Sequence, residues 1–368
     1  MPSSAELITN RQLNRASLER QLLLRRSSMP LMSAVEMLVG LQAQNPLDPY
    51  LALWSRLDSF EPTHLGKLIE DRSLVRIVAM RATIHLLTAD DALWLRPLTQ
   101  PVLTAELSRH RDFAPALAGV DIEPVLAVAR PLLAWRPLSG PELRAALAET
   151  FPSLNPTALV YACRCLLPLI QAPPRGVWGK TRQVELATLE SWVGKPMDPA
   201  PSTAAMVLKY LAAFGPASVA DISNWSRLTG LRKVVEGLRP RLVTFRNKRG
   251  TELFDLPDAP RPDPDTTAPV RFLPEYDNLL LGHADRSRFG ADQKRRFADV
   301  KGPIKGTVLV DGEVAAIWRF EKASPMRLVI EHLALSKRHL AAVAEEAHCL
   351  GRFWHGEVET QFSGLEPL

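Results

Sequence analysis

Hydrophobic and polar positions along this chain follow two rhythms, and the change from one to the other recurs. Between residues 10 and 26, Leu13, Leu18, Leu22, Leu23 and Leu24 are interleaved with Arg11, Arg15, Arg20, Arg25 and Arg26, which predicts a basic amphipathic helix. Residues 33–44 predict a second helix, opened by Ser33 as N-cap with Glu36 as its capping-box partner. It must close before Pro46, whose ring pushes Asn45 out of the helical region. A third helix is expected over 62–72. From Leu74 to Leu87 the pattern turns β-branched and apolar with polar interruptions, a pair of strands around Met80-Arg81-Ala82. Helix, helix, helix, hairpin is the order of a winged helix.

That order returns twice. Ser139 to Leu147 and Asn155 to Leu167 predict two helices, and Leu169-Ile170 followed by Pro173, Pro174, Gly176 and Trp178 predicts a wing. Thr203 to Phe214 predicts a helix, Ser218 caps a short second one, and Leu231 to Leu238 is a candidate recognition helix. Strands 242–246 and 251–255 then flank the basic tip Asn247-Lys-Arg-Gly250. Residues 257–269 hold five prolines and read as an exposed connection. Thr307 to Phe320 is a hairpin turning at Asp311-Gly312, and a last helix is expected from Ser336 to Leu350. The expectation is a mainly helical α+β protein with three tandem winged-helix motifs. Its divisions are drawn at 1–100, 101–198, 199–258 and a C-terminal hairpin-and-helix region at 259–368.

Composition adds little until the charges are placed. The 368 residues suffice for several compact units, and a net charge of +5 is a mild excess. Placement sharpens it. Eight basic residues lie between Trp225 and Gly250 against Glu236 alone, among them Arg227, Arg232, Lys233, Arg246, Lys248 and Arg249. On a recognition helix and wing they suit phosphate contacts, whose energy comes largely from counterion release; elsewhere they would be a solvated face. A second cluster, Arg286, Arg288, Lys294, Arg295 and Arg296, is interleaved with Phe289 and Phe297, aromatics that either stack on bases or anchor a core. Cys163, Cys165 and Cys349 are too few and too badly spaced for a disulfide framework or a metal site, so buried thiols, no cofactor and no metal are expected. Without a signal-peptide core or an 18-residue apolar run, the expected location is cytoplasmic and nucleoid-associated, with no membrane partner.

Neither a Walker loop, a Gly-x-Gly-x-x-Gly strand–helix junction, nor a Gly-x-Ser-x-Gly elbow occurs. What remains is Leu41-Gln-Ala-Gln-Asn-Pro46. With the helix broken by Pro46, Gln42 and Gln44 can reach one space at its end; alone, such a pair reads as a solvated helix end. Three segments taken together change that reading: Leu38 to Tyr50 with its Gln-x-Gln, Arg81-Ala-Thr-Ile-His-Leu-Leu87, and Leu273-Pro-Glu-Tyr-Asp-Asn to Gly282. As a set they resemble the bacterial winged-helix DNA glycosylases of the AlkZ and YcaQ type, over roughly residues 10 to 355. The resemblance implies a C-shaped scaffold and monofunctional excision of N7-alkylated purines from double-stranded DNA. In some members it extends to unhooking interstrand crosslinks. Gln42 and Gln44 match the Gln-x-Gln of the AlkZ-like branch, which implies self-resistance against the host's own alkylating product.

The residue type restricts the chemistry independently. Glutamine cannot take up a proton at neutral pH, but it can align a water. An N7-alkylated purine already carries positive charge and leaves neutral, so no general acid is required. Positioning then supplies the rest. Gln44 is expected to be the principal water positioner and Gln42 its partner. Asn45, Arg81, His85 and Asp277 are candidates to line the cleft; His85 could equally make a structural hydrogen bond, and Asp277 a helix cap. A bulky adduct does not fit a closed pocket, so a concave basic channel is expected, with the 307–320 hairpin or the 286–296 loop touching a groove. A monomer is expected, since damage is asymmetric. The rival readings are a winged-helix transcription regulator and a non-catalytic protein that sequesters the lesion.

Overall fold

The structure is a computed structural model in which residues 6–290 and 306–365 are described. A short strand, β1 (Glu6–Leu7), and helix α1 (Asn10–Arg20) precede three units of one connectivity. The first comprises α2 (Leu31–Met37), β2 (Leu41–Gln42), α3 (Asp48–Trp54), α4 (Pro62–Glu70), β3 (Leu74–Val78) and β4 (Ile84–Thr88). Helices α5 (Ala89–Arg109) and α6 (Phe113–Ala116) lead to the second. That unit is α7 (Glu123–Trp135), β5 (Leu138–Ser139), α8 (Gly140–Thr150), α9 (Pro156–Leu166), β6 (Leu169–Gln171) and β7 (Glu185–Thr188). After α10 (Leu189–Val193) the third has α11 (Thr203–Phe214), α12 (Val219–Ser226), α13 (Leu231–Leu238), β8 (Val243–Arg246) and β9 (Glu252–Asp255). In each unit the segment after the first helix pairs antiparallel with the last strand: β2 with β4, β5 with β7, and a single bridge from Ala217 to Phe254.

Local chemistry accounts for these starts. Ser139 and Ser218 form capping boxes with Glu142 and Asp221, and Asn155 caps α9, each satisfying backbone N–H groups that a helix leaves unpaired. The first two units share one sheet. Strand β3 pairs antiparallel with β6, placing Arg76 opposite Gln171 and Ile77 opposite Ile170, so the order is β2-β4-β3-β6-β7-β5. This arrangement reads the same from either edge inward. The third unit packs beneath that sheet through Met206, Tyr210, Phe214 and Trp225, which share a core with Val75, Ile77 and Leu87.

The C-terminal part is larger than a hairpin and a helix. Strands β10 (Arg271–Leu273), β11 (Gly306–Val310), β12 (Glu313–Glu321), β13 (Met326–His332) and β14 (Val358–Gly364) form a five-stranded sheet, the last pair parallel. Helix α14 (Asn278–Leu281) follows β10, and α15 (Lys337–Trp354) covers the sheet with Val343, Ala347 and Leu350. Among the described residues no helix is long and apolar enough to cross a membrane, and no group of three His, Cys, Asp or Glu could hold a metal.

Several expectations change. The boundary drawn at residue 100 falls inside α5, a helix that runs through Pro97 and Pro101. Helix α1 stops at Arg20, short of the expected Arg26, and two of its arginines are paired inside the protein: Arg20 is buried against Asp255 at 2.7 Å, and Arg15 is buried against Asp311. The same contact holds the tip of the 307–320 hairpin against α1. Its Asp311-Gly312 tip is tied to α1 by Arg11 and Arg15, and Asn14 Nδ2 donates to the Gly312 carbonyl at 2.7 Å. Phe289 is a core anchor packed with Leu18, Leu273 and Leu309. Cys163 and Cys165 are buried as expected, whereas Cys349 is exposed.

Candidate active site

Helix α2 begins after Pro30 with no side-chain cap, so Ser33 and Glu36 lie inside it and form no capping box. It ends at Met37 because Val39 and Gly40 take left-handed conformations, φ +55° and +78°. At Gly40 a Cβ would meet the Leu86 carbonyl at 2.8 Å, so glycine is required. Gln42 therefore sits buried on strand β2 and Gln44 exposed on the bend after it, not at a helix end.

Strand β2 is held from two directions. It pairs with β4, setting Gln42 opposite His85. From the C-terminal part, Asn278 donates through Nδ2 to the carbonyls of Gly40 (2.5 Å) and Leu38 (3.3 Å), and its Oδ1 accepts from the Gln42 amide at 3.4 Å. No periodicity pointed to Asn278; only its place in the Leu-Pro-Glu-Tyr-Asp-Asn segment did.

Gln42 is buried, and its Oε1 accepts from Arg81 Nη2 at 2.7 Å. The same Arg81 nitrogen lies 3.2 Å from His85 Nε2, and Nη1 donates to the Trp225 carbonyl of α12 at 3.0 Å. His85 Nδ1 lies 2.9 Å from the Thr83 carbonyl, an arrangement that requires the Nδ1–H tautomer with Nε2 as acceptor. Burial, and then the Arg81 charge, hold His85 down to about 3, so it is neutral at physiological pH. Burial, followed by the charges of Arg227 and Arg286, lowers Arg81 to about 10, which leaves it cationic. With its carbonyl engaged, Gln42 turns its NH2 outward; Nε2 has no acceptor among the described residues. Gln44 is exposed, and its Oε1 accepts from the Ile84 amide at a long 3.4 Å.

The remaining candidates separate. Asn45 is exposed and makes a turn into α3, its Oδ1 accepting from the Leu47 amide at 3.2 Å. Asp277 is not a cleft carboxylate: both oxygens accept from buried Arg56 at 2.7 and 2.9 Å, and Oδ1 also caps α14. Arg288 is not a surface cation. It is buried and donates to Ser17 Oγ at 3.2 Å and the Pro216 carbonyl at 3.1 Å. Arg232, Lys233, Arg246, Lys248 and Arg249 are exposed on α13 and the β8–β9 hairpin, with Arg249 3.4 Å from Asp285. Arg286 is half-buried near Arg81; Lys294, Arg295, Arg296 and Phe297 lie outside the described residues.

Sequence reading also missed Asp48 at the start of α3. Burial, and then the neighbouring charges of Glu275 and Asp277, push its carboxyl up to about 7.

Comparison with known proteins agrees with this layout. A family model described as DNA glycosylase AlkZ-like matches residues 35–353. Over 341 residues the chain is 25% identical to an interstrand DNA cross-link repair glycosylase of Streptomyces sahachiroi, covering 84% of this chain and 87% of the relative. The solved structure of Streptomyces sahachiroi DNA glycosylase AlkZ has the same fold, with a TM-score of 0.78 at 20% identity, over 97% of this chain and 100% of that one.

Proposed function

The chain belongs to the AlkZ-like DNA glycosylase family, and on that premise we propose that it hydrolyses the N-glycosidic bond of N7-alkylated purines in double-stranded DNA, with Gln42 and Gln44 as the catalytic pair. The observation that carries the reading is the amide pair itself. Gln42 is anchored by its carbonyl to a half-buried arginine beside a neutral imidazole, and Gln44 is exposed two residues on. Such a site can align a nucleophile but cannot deliver a proton to a leaving base.

That limitation selects the substrate. In an N7-alkylated purine the C1′–N9 bond breaks with its electron pair passing to the ring, which cancels the positive charge already there. The base leaves neutral and unprotonated. The C1′ cation then takes the oxygen of a water, and the surplus proton passes to solvent. Gln44 Oε1 accepts one hydrogen bond from that water, and the Gln42 NH2 donates to a sugar or water oxygen. Water held in near-attack geometry accounts for much of the acceleration. An exposed Gln44 also suits bulky adducts that a closed pocket would refuse, and we extend the proposal to interstrand crosslinks because the Streptomyces relative is named for their repair. A self-resistance role and a monomeric state belong to the same proposal. The regulator reading gains no support from the family match.

The test is a duplex carrying one N7-methylguanine, incubated with enzyme and cleaved at abasic sites with alkali. Wild type should release the base, and Gln42→Ala/Gln44→Ala should bind the duplex but release nothing. A panel of N3 adducts, a crosslink and the uncharged lesions uracil and hypoxanthine completes it. Equal release of the uncharged lesions would contradict the charge argument. Absence of release from every cationic lesion would return the protein to the sequestering reading.

A further inference from the structure

Two arginines meet at the C-terminal end of α12, and a third, held on the same helix, adds its charge to theirs. Arg81 comes from the turn between β3 and β4 and donates to the Trp225 carbonyl. Arg227 is the residue that caps α12, two positions beyond Trp225. Arg286 lies on a segment fastened to the first turn of the same helix, since the amides of Ala284 and Asp285 both donate to Asp221 Oδ1, at 2.8 and 3.3 Å, and from there its charge bears on Arg81. None of the three has a carboxylate within salt-bridge distance among the described residues. By contrast, Arg15, Arg20 and Arg56 are each neutralised by an aspartate.

The backbone is unusual at the same place. Arg81 and Arg227 both have positive φ, +58° and +63°, a conformation that costs free energy for a side-chain-bearing residue and persists where the surroundings enforce it. Of the five N–H groups on Arg81, three are used by Gln42, His85 and the Trp225 carbonyl. The Nε–H and one Nη1 hydrogen remain. Gathered cations with spare donors and no counter-charge attract an anion. The mutual repulsion that Arg227 and Arg286 exert on Arg81 would be relieved by one.

We propose that Arg81, Arg227 and Arg286 form a binding site for a single backbone phosphodiester of the damaged DNA strand, at or next to the nucleotide whose sugar faces Gln42. The position follows from Arg81 itself: a phosphate oxygen that accepts from its spare Nε–H or Nη1–H is held by the same guanidinium as the Gln42 carbonyl. Which phosphate is bound rests on the glycosylase reading; that a phosphodiester is bound does not. The site would fix the lesion's register against the amide pair, using a phosphate contact that carries no sequence information.

The test replaces phosphates one at a time by neutral methylphosphonates across several positions either side of a 2′-fluoro-N7-methylguanine. The fluorine resists cleavage of the glycosidic bond, so binding is read without turnover. Wild type, Arg227→Gln and Arg286→Gln are compared as full-length proteins; Arg227 is exposed, so its replacement leaves the fold intact. One position should weaken wild-type binding by roughly tenfold and leave both variants almost unaffected. Each variant should also lower the salt dependence of log K by about one unit. If the neutralised position penalises variants and wild type equally at every site, the proposal is wrong, even when excision from ordinary N7-methylguanine proceeds. If the non-additive position is found while wild type excises nothing, the phosphate site stands and the glycosylase reading falls.

Discussion

Asn278 joins the C-terminal part to the strand that carries Gln42, and replacing it should separate stability from chemistry. The alanine variant removes donors from the Gly40 and Leu38 carbonyls and the acceptor facing the Gln42 amide. The 2.5 Å bond to Gly40 is the main loss. Three hydrogen bonds lost at a buried position, two of them long, cost about 2–4 kcal/mol together. That is a large share of an ordinary stability of about 5–15 kcal/mol, yet the protein should still fold. The larger effect is on geometry, because β2 is two residues long and Asn278 is its brace on the side away from β4. A displacement of about 1 Å in a positioned group can cost about a hundredfold in rate. Single-turnover excision from an N7-methylguanine duplex should therefore fall by about 10- to 100-fold, with duplex binding retained. Asn278→Asp should be worse than alanine, because it sets a carboxylate oxygen against the Gly40 and Leu38 carbonyls. A variant that unfolds at lower denaturant but excises at the wild-type rate would show that Asn278 holds the fold and not the catalytic strand. An aspartate variant as good as wild type would refute the hydrogen-bond assignment itself.

Other outcomes follow from the same geometry. Because His85 is held down to about 3, the pH–rate profile of excision should show no limb near the ordinary histidine value of 6.5, and one that vanished in His85→Asn would contradict the neutral assignment. On stability, a histidine depressed in the folded state contributes fully above 6.5. Its share declines as pH falls from there towards 3, at up to about 1.4 kcal/mol per pH unit, and His85→Asn should flatten that part of the denaturation profile. Asp48 has the opposite sign: raised to about 7, it favours the fold at acidic pH and opposes it as pH climbs from the ordinary 3.8 through 7. Asp48→Asn should therefore stabilise by on the order of 2 kcal/mol at pH 8 and by little at pH 4, read by equilibrium denaturation at both. Gly40→Ala, forced to φ +78° against Leu87 and the Leu86 carbonyl, should cost at least about 2 kcal/mol and slow excision more than a surface glycine such as Gly119→Ala.

The helical-plus-hairpin order was legible because its signals are local. Capping serines at 139 and 218 and the apolar faces of 203–214 and 231–238 each lie within one element. What escaped was non-local or too short. Strand β2 has no room to display alternation, and the left-handed Val39-Gly40 turn that frees it from α2 resembles a helix interior in hydrophobicity. The partners of the buried arginines escaped because a sequence displays charge and not pairing. Arg20 finds Asp255 at a separation of 235 residues, and Arg56 finds Asp277 at 221. The division drawn at residue 100 fell inside a helix that runs through Pro97 and Pro101. At the candidate site the amide pair was found from its motif, but its support, the Arg81 bridge and the Asn278 brace, depends on tertiary contacts that spacing does not encode.

The shared sheet of the first two units bears on how the chain can be dissected. Its halves meet strand to strand through equivalent edges, the contact that two separate copies of one small unit would make back to back. In this chain that contact is made once, within one molecule, at Ile77 and Ile170. A fragment cut between them would be left with a raw edge at β3. It should close that edge by pairing with a twin, re-creating in solution the partnership that the intact chain makes internally.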